Sequence, residues 1–348
     1  MNTNNSLSTK KKILILKNDA VGDLCQSLPA IQNIINLKNA EIEIYLSERS
    51  KNFKFLIIGN NIKFRILNYN LTLKDKFEIF LKCFTENIDR IYILSPKKFY
   101  FYLPFIFRKI KFYAICLKGP NNYLRPSLFL RKFLFRFVIN DRSKIFKRDS
   151  SEQIQKKLTH ENIINLNKPK IDIKPSEFLK ENIPTNFVYF HIKKKTIDKL
   201  GWNINDLNYL FENLLKYFDN VVLTRDIEKI NENIDYSKYF NIIDFKFKTK
   251  QNINNKIFLF DNIEGSDLFN TLKYSSKIIA FHGMMTNLGS LVNKSITDLW
   301  FFDVKTWDDY RNYRNAFYEF KPKYNGYNFI IPKKDIKKTF KKLLFSIK

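Results

Sequence analysis

The fold of this chain is decided by residues 13–23, which read ILILKNDAVGD. The first four of them form a short, continuous apolar run, the pattern of a buried parallel strand. After a polar loop, apolar residues recur at helical spacing from Leu24 to Leu37, and residues 42–46 again have a strand pattern. This order of strand, loop, helix and strand is typical of the doubly wound sheets of α/β proteins.

The same alternation begins again in the second half of the chain, after a polar stretch at residues 147–174. Its patterns are, in chain order, a strand at 186–191, a helix at 206–217, a strand at 220–224, a helix at 267–274, a strand at 277–281, a helix at 287–292 and a strand at 296–300. The sequence therefore predicts a second α/β domain built like the first.

The domain boundaries follow from the polar stretch and the restart of the pattern. We expect a Rossmann-like domain over residues 1–170 and a second one over 171–330. Residues 331–348 contain a basic, amphipathic helix that could cross back to the first domain. The segment from about residue 50 to 90 has no clear pattern, so its elements are left open.

The net charge of +27 favours an anionic partner, such as nucleic acid, a phosphorylated membrane surface or a charged substrate. A second explanation is compositional. Lys, Asn, Ile and Phe are all abundant in the sequence, and an AT-rich genome favours their codons. The sequence is compatible with both explanations of the positive charge.

Cysteine and histidine usage argues against metal or disulfide frameworks. Cys25, Cys83 and Cys116 are odd in number and far apart, and the chain has only three histidines. Lys10–Lys12 precedes only four apolar residues, which does not resemble a signal peptide, and no apolar run is long enough for a membrane helix. We expect a cytoplasmic protein without metal or cofactor.

The loop of the opening stretch carries two carboxylates, Asp19 and Asp23, and Asp23 follows Gly22. In a doubly wound sheet, ligands bind outside the carboxyl ends of the strands, where either carboxylate could point into a cleft. On local grounds, however, a Gly-Asp step before a helix is more often a turn with a capping aspartate. The spacing is also not that of a dinucleotide-binding glycine loop.

Residues 12–34, with Gly22-Asp23 followed by the step Leu28-Pro29-Ala30-Ile31, resemble the N-terminal signature of the glycosyltransferase family 9 heptosyltransferases. Two later segments extend the resemblance in the family's order. One is residues 191–224, with Lys199 close to Trp202 and then the run Val-Val-Leu-Thr. The other is residues 278–288, a strand followed by a turn of small residues and a helix.

The resemblance covers most of the chain and implies a GT-B fold, with two Rossmann-like domains that face a central cleft. It implies an inverting glycosyl transfer from a nucleoside-diphosphate sugar, with Asp23 as the general base and Asp19 as its rival in the same loop. Lys199 would be the counter-ion of the leaving diphosphate. Because 61 residues are Lys or Arg, Lys199 does not stand out without the resemblance.

The donor side would be built by the turn at residues 282–288. Backbone N–H groups and the helix dipole after Gly283 favour a phosphate, and Thr286 could add a hydroxyl donor. Met284 would join the turn or simply pack in the core, as methionine commonly does. His191, at a strand end, is a further candidate, and Arg225 is a possible phosphate contact or an ordinary exposed arginine.

Two positions depart from the family pattern. His282 stands where heptosyltransferases carry an aspartate that contacts the donor sugar, and Asn287 replaces a histidine. The resemblance therefore leaves the donor open as heptose or a similar sugar.

Residues 97–148 contain fourteen Lys or Arg, fourteen Phe or Tyr and one acidic residue, Asp141. Such a stretch suits a lipid-linked acceptor with acidic groups, for example a lipopolysaccharide core or another cell-surface glycan, and an anionic membrane. It would also suit single-stranded nucleic acid, although no nucleic-acid motif accompanies it. The main hypothesis is a glycosyltransferase attached to the cytoplasmic face of the inner membrane. The alternatives are a non-catalytic relative that binds nucleotide sugar or glycan, and a basic nucleic-acid-binding protein.

Overall fold

The structure is a computed structural model that describes residues 11–37, 40–118, 135–141, 157–158, 171–226, 236–253, 255–292, 294–301 and 327–347. Contacts divide the chain into two compact units. Every described residue up to Leu158 belongs to the first unit, and every described residue from Ile171 onward belongs to the second. The polar stretch expected at 147–174 lies mostly outside the described residues.

The described part of the first unit contains one sheet of six parallel strands in the order β3-β2-β1-β4-β5-β6. Its strands are β1 (Lys11–Lys17), β2 (Ala40–Ser47), β3 (Ile62–Leu67), β4 (Ile88–Ile93), β5 (Lys111–Lys118) and β6 (Phe135–Asp141). Its helices are α1 (Val21–Ile35), α2 (Leu73–Thr85) and α3 (Leu103–Ile106), with short 3₁₀ helices at Lys51–Leu56 and Lys98–Phe101. This strand order is the doubly wound arrangement.

The opening stretch forms the centre of this sheet. Ile13 to Leu16 in β1 are almost completely buried, as a strand with both neighbours and both faces covered requires. Helix α1 begins at Val21, earlier than the start near Leu24 that the sequence suggested, so Gly22 and Asp23 lie in its first turn. Cys25 in α1 and Cys83 in α2 are both buried and free of disulfides.

The described part of the second unit contains one sheet of eight strands in the order β10-β9-β11-β8-β7-β12-β13-β14, parallel except for β10. Its strands are β7 (Phe187–Ile192), β8 (Asn220–Arg225), β9 (Asn241–Asp244), β10 (Thr249–Gln251), β11 (Ile257–Asp261), β12 (Lys277–Phe281), β13 (Ile296–Leu299) and β14 (Tyr327–Ile330). Its helices are α4 (Glu177–Asn182), α5 (Lys194–Leu200), α6 (Ile204–Leu214), α7 (Gly265–Tyr274), α8 (Met284–Leu291) and α9 (Ile336–Ile347), with a 3₁₀ turn at Tyr236–Lys238.

The C-terminal helix α9 packs inside the second unit. Phe340 and Leu343 are buried in the same apolar core as Leu207 of α6, and the Trp202 indole donates to the carbonyls of Lys333 and Lys334 just before the helix. The sequence suggested that this helix could cross back to the first domain. The packing described is that with the second unit, so the crossing stays a prediction. Within the described residues, no helix is both long and apolar enough to pass through a bilayer.

Candidate functional site

Each sheet has one topological switch point, the place where the strand order reverses and where ligands bind beyond the carboxyl ends of the strands. In the first unit it lies between β1 and β4, and in the second between β7 and β12. The residues that follow these strands are therefore the first to consider.

In the second unit, the turn after β12 approaches that switch point. Gly283 has a φ of +155° and a ψ of −139°, a conformation that is almost restricted to glycine. The turn leads directly into α8, whose first backbone N–H groups and positive dipole end favour an anion. Gly289 lets this helix lie close to the sheet, because a Cβ there would meet Ile278 Cδ1 at 2.8 Å.

Lys193, which follows β7, contacts the same turn. Its ammonium Nζ donates to the carbonyl of His282 at 3.0 Å, and a Cβ on Gly283 would lie 3.7 Å from that Nζ. Burial lowers the pKa of Lys193, and the charges of Asp226 and Asp298 only partly offset this. The switch point of the second sheet therefore combines a partly buried lysine with a helix N-terminus, two features that attract a diphosphate.

His282 is fixed by a fully buried carboxylate, that of Asp298 in β13. Its Nδ1 lies 2.7 Å from Asp298 Oδ2, and its ring stacks on Trp300 with 3.6 Å between the ring centres. Trp300 Nε1, Tyr327 OH and Thr286 Oγ1 also donate to Asp298, at 2.6, 2.8 and 2.9 Å. Because a carboxylate accepts hydrogen bonds, the arrangement places a hydrogen on Nδ1 of His282.

Of the other residues that the sequence suggested for this turn, two are buried in structural roles. The Thr286 hydroxyl is committed to Asp298, and the Asn287 side chain donates to the Gly283 carbonyl at 2.9 Å. Asn287 therefore stabilises the turn from within. Met285 is buried and Met284 half-buried beside it.

His191 is the last residue but one of β7 and is also buried. Its Nδ1 lies 2.9 Å from the Thr224 hydroxyl and its Nε2 lies 3.3 Å from Asp226. Burial raises the pKa of Asp226, but the hydrogen bond from His191 and the charge of Lys193 outweigh this and leave the pKa below its usual range. His191 thus belongs to a polar group that reaches Lys193 through Asp226.

Lys199 lies exposed near the end of α5, so it is Lys193 rather than Lys199 that the structure brings to the turn. Trp202, the other residue of the predicted segment, is a buried anchor for the C-terminal segment. Arg225 forms a bidentate ion pair with Asp261, with N–O distances of 3.0 and 2.6 Å. These contacts give Arg225 a structural role.

In the first unit, Asp19 lies at the switch point and is heavily engaged. Its Oδ2 accepts from Ser95 Oγ at 2.6 Å and from the buried Lys17 Nζ at 2.9 Å, and Lys97 Nζ lies 3.7 Å from Oδ1. Burial raises the pKa of Asp19, but Lys17, Ser95 and Lys97 together leave it lowered. Asp19 therefore ties the ends of β1 and β4 together and is a weak base.

Asp23 is half-buried in the first turn of α1, next to Gly22. Burial and then the charge of Asp23 raise the pKa of the Cys25 thiol. Lys17 and Lys97 pair with Asp19, the other carboxylate of the opening stretch.

Basic side chains collect at the same edge of the first sheet. Arg49 follows β2, Tyr69 follows β3 and Lys97 follows β4. The Arg49 guanidinium and the Lys97 ammonium lie 4.3 and 4.2 Å from the centre of the Tyr69 ring, and Lys97 also donates to the Tyr69 carbonyl. This edge of the first sheet therefore combines two cations with an aromatic ring.

Sequence reasoning missed Lys193, Asp298 and Trp300. Lys193 is one of three consecutive lysines and could not be singled out. Asp298 could have been singled out from the sequence, because it is an acidic residue inside a predicted strand. A charge buried in a strand requires partners. Among the described residues, no group of three or more His, Cys, Asp or Glu side chains is placed to hold a metal ion.

Comparisons with known proteins identify the fold. No protein-family profile matches the chain, and no curated protein matches it in sequence. A glycosyl transferase family 9 protein from Veillonella parvula has a similar structure, with a TM-score of 0.61 and 10% identity over 92% of this chain and 86% of that one. The E. coli ADP-heptose lps heptosyltransferase II gives 0.60 and 11%, over 97% of this chain and 98% of that one.

A putative UDP-N-acetylglucosamine 2-epimerase from Listeria monocytogenes is also similar, with a TM-score of 0.56 and 10% identity over 97% of this chain and 88% of that one. The chain therefore has the α/β fold of GT-B proteins, and the predicted resemblance to family 9 is confirmed at the level of fold. At these identities the fold alone is shared, and chemistry must be argued from the residues.

Proposed function

We propose that this protein is a glycosyltransferase that uses a nucleoside-diphosphate sugar, and that its second unit binds the donor. The observation that carries the proposal is the cluster at the switch point of the second sheet. There Lys193 contacts the turn of His282 and Gly283 that opens α8. Loss of a nucleoside diphosphate requires stabilisation of developing negative charge, and an ammonium next to a helix N-terminus supplies it.

His282 is the proposed contact to the donor sugar or to its diphosphate. Asp298 and Trp300 hold the ring, so Nε2 has a fixed direction before the ligand arrives. A fixed donor or acceptor stabilises a transition state without reorganisation. Because a histidine binds sugar hydroxyls differently from the aspartate that heptosyltransferases carry at this position, the proposal leaves the donor sugar open as heptose or a similar sugar.

Asp23 is the proposed general base, which takes the proton of the acceptor hydroxyl during an inverting displacement. The alternative, Asp19, is held by two lysines and Ser95, and its lowered pKa makes it the poorer base. The ion pairs of Asp19 and the partial exposure of Asp23 support this choice.

The acceptor proposed for the first unit is acidic. Arg49 and Lys97 beside Tyr69 suit a phosphorylated or carboxylated glycan, such as a lipopolysaccharide core or another cell-surface glycan. Such an acceptor is lipid-linked, so we propose peripheral attachment to the cytoplasmic face of the inner membrane. The basic, aromatic region 97–148 was predicted to contact the anionic membrane. Its residues 119–134 and 142–148 lie outside the described residues.

Donor binding is tested with a panel of nucleotide sugars and nucleoside diphosphates, by thermal stabilisation of the full chain. The matched pair of variants is Lys193→Met and Lys199→Met. Because a charge-assisted hydrogen bond contributes about 1.5–3 kcal/mol, Lys193→Met should weaken diphosphate binding by at least about tenfold. Lys199→Met should leave it unchanged, and the reverse result would return the role to Lys199.

Transfer is tested with the stabilising donor and a lipopolysaccharide-core acceptor. Asp23→Ala should abolish acceptor-dependent release of nucleoside diphosphate and retain donor binding. Because a putative epimerase shares the fold, the sugar product is identified as well. Acceptor-independent conversion of the donor sugar would replace transfer by epimerisation, and donor binding without turnover would indicate a non-catalytic nucleotide-sugar-binding protein.

A further inference from the structure

Helix α2 of the first unit has a second apolar face that no described residue covers. Leu73, Phe77 and Phe84 are 82%, 65% and 75% exposed, and Leu81 is 46% exposed. At 3.6 residues per turn these positions share one side of the helix. The side that faces the core of the unit carries Ile79 and Cys83, which are buried there. A soluble helix normally has one apolar side, so the exposed one requires its own explanation.

The exposed apolar surface continues onto the segment around α3. Tyr102, Phe105 and Ile106 are exposed there. The two segments adjoin, because the Phe80 ring of α2 lies 5.2 Å from the Phe107 ring that follows α3. We call the exposed side chains Leu73, Phe77, Leu81, Phe84, Tyr102, Phe105 and Ile106 the α2–α3 face.

Basic residues border this face. Lys74 and Lys76 lie on α2 on either side of the apolar positions, and Arg108, Lys109 and Lys111 follow α3 in exposed positions. On α2, Asp75 is buried in the capping box and Glu78 is half-buried. No acidic residue occurs between Asp89 and Asp141. The charge around the face is therefore mainly positive.

We propose that the α2–α3 face docks the protein on an anionic lipid bilayer. Large apolar side chains with a positive border are the composition of helices that lie in the membrane interface, where the apolar groups enter the acyl boundary and the cations meet lipid phosphates. A protein partner would have to supply both an apolar groove and an acidic rim. An anionic bilayer offers an apolar interior below negatively charged head groups everywhere on its surface. The positive border of the face therefore favours the bilayer over a protein partner.

Docking depends on neither the donor turn nor Asp23, so it can be tested apart from the proposed transfer. The full chain is mixed with vesicles of phosphatidylcholine, with or without phosphatidylglycerol, and the bound fraction is measured by co-sedimentation. Phe77→Ser/Phe84→Ser removes two exposed rings from the face. The matched control, Phe247→Ser/Phe345→Ser, removes two rings from the second unit that are 65% and 89% exposed.

The wild-type chain should bind vesicles that contain phosphatidylglycerol. Phe77→Ser/Phe84→Ser should bind at least about tenfold more weakly, because the burial of one large apolar side chain already contributes about that factor in affinity. The control should bind as the wild type does. Arg108→Gln/Lys109→Gln should lose about fivefold for each charge. Its charge control, Lys248→Gln/Lys250→Gln on exposed residues of the second unit, should lose less.

Equal binding by the Phe77/Phe84 variant and the wild type would overturn the proposal. The proposal would also be overturned if each control lost as much binding as the variant it is matched to. Equal binding of the wild type to vesicles with and without phosphatidylglycerol would overturn it as well. A wild-type dimer that the Phe77/Phe84 variant fails to form, together with unchanged vesicle binding, would assign the face to a second copy of the chain. The charge variants keep the test decisive if the Phe77/Phe84 variant does not fold.

Discussion

Two aspartates four residues apart have different surroundings at the end of β1. Asp19 is held by Ser95, Lys17 and Lys97, whereas Asp23 lies half-buried in the first turn of α1. The sequence alone predicted that both carboxylates lie beyond the carboxyl ends of the strands. The contacts of Asp19 depend on Ser95 and Lys97, residues more than 70 positions away that only the sheet topology brings near.

Asp19→Ala should destabilise the protein by about 3 kcal/mol at neutral pH, because it leaves the ammonium of Lys17 buried without its partner. The pKa of Asp19 is lowered in the folded state. Its stabilisation is therefore present above the unfolded value of about 3.9 and is lost as the pH falls through the folded value. Urea unfolding of both proteins over this pH range checks the prediction.

The difference between wild type and Asp19→Ala should shrink as the pH falls below about 4. Asp23→Ala serves as the comparison and should change stability by less than Asp19→Ala does. A stability difference that is constant from acidic to neutral pH would show that the carboxylate charge is not what Asp19 contributes.

Asp298 is expected to act as a positioning residue for His282. In Asp298→Asn the amide cannot accept all four of the present hydrogen bonds, so His282 should lose its fixed orientation. We expect a fall in kcat of about tenfold or more with a smaller change in donor affinity, because a ring held in one orientation stabilises the transition state without reorganisation. A loss of stability alone, with kcat and donor affinity unchanged, would limit Asp298 to a structural role.

The elements with one uninterrupted apolar run were predictable from sequence. β1, β7, β8 and β12 fall where those runs predicted them, because strands inside a parallel sheet are buried on both faces. Residues 50–90 were left open, although the apolar side chains of α2 recur at helical spacing, so this helix was predictable and was missed.

Other elements were missed or displaced because their signals are short. β9 and β10 have four and three residues, too few for a pattern to emerge among Asn and Lys. Helix α7 was expected to begin at residue 267, but it begins at Gly265 with Glu264 at the cap position. Such shifts of one or two residues are usual for helix ends.

At helix α9, Leu343→Ala should destabilise the second unit by about 2–4 kcal/mol, because it opens a cavity in the core shared with α6. The neighbouring substitution Phe345→Ala is the control, since that ring is exposed and should contribute little. Chemical unfolding followed by tryptophan fluorescence measures both. Equal effects of the two substitutions would contradict the packing described for α9.

At the scale of the whole molecule, the chain has two units with separate apolar cores. We therefore expect two transitions in calorimetry, since each core can be lost cooperatively by itself. A nucleoside diphosphate at about 100 times its dissociation constant should stabilise only the second unit, by about 2.7 kcal/mol. The three tryptophans all lie beyond residue 200, so their fluorescence should follow that transition.

A single transition that is seen by every probe and shifted as a whole by the nucleotide would contradict this prediction.

The net charge of +27 is also a property of the whole molecule. The border of the α2–α3 face and the Arg49–Lys97 pair gather part of this charge at defined places.

The cysteines are distributed in the opposite way to the tryptophans, because all three occur before residue 117. Cys25 and Cys83 are buried in the first unit, and burial raises the pKa of Cys83 to about 12, so neither thiol should react with an alkylating reagent in the native state. Their labelling rate then measures how often the first unit opens, while the second unit contributes no thiol. Thiol exchange can therefore show whether a donor bound to the second unit slows the opening of the first.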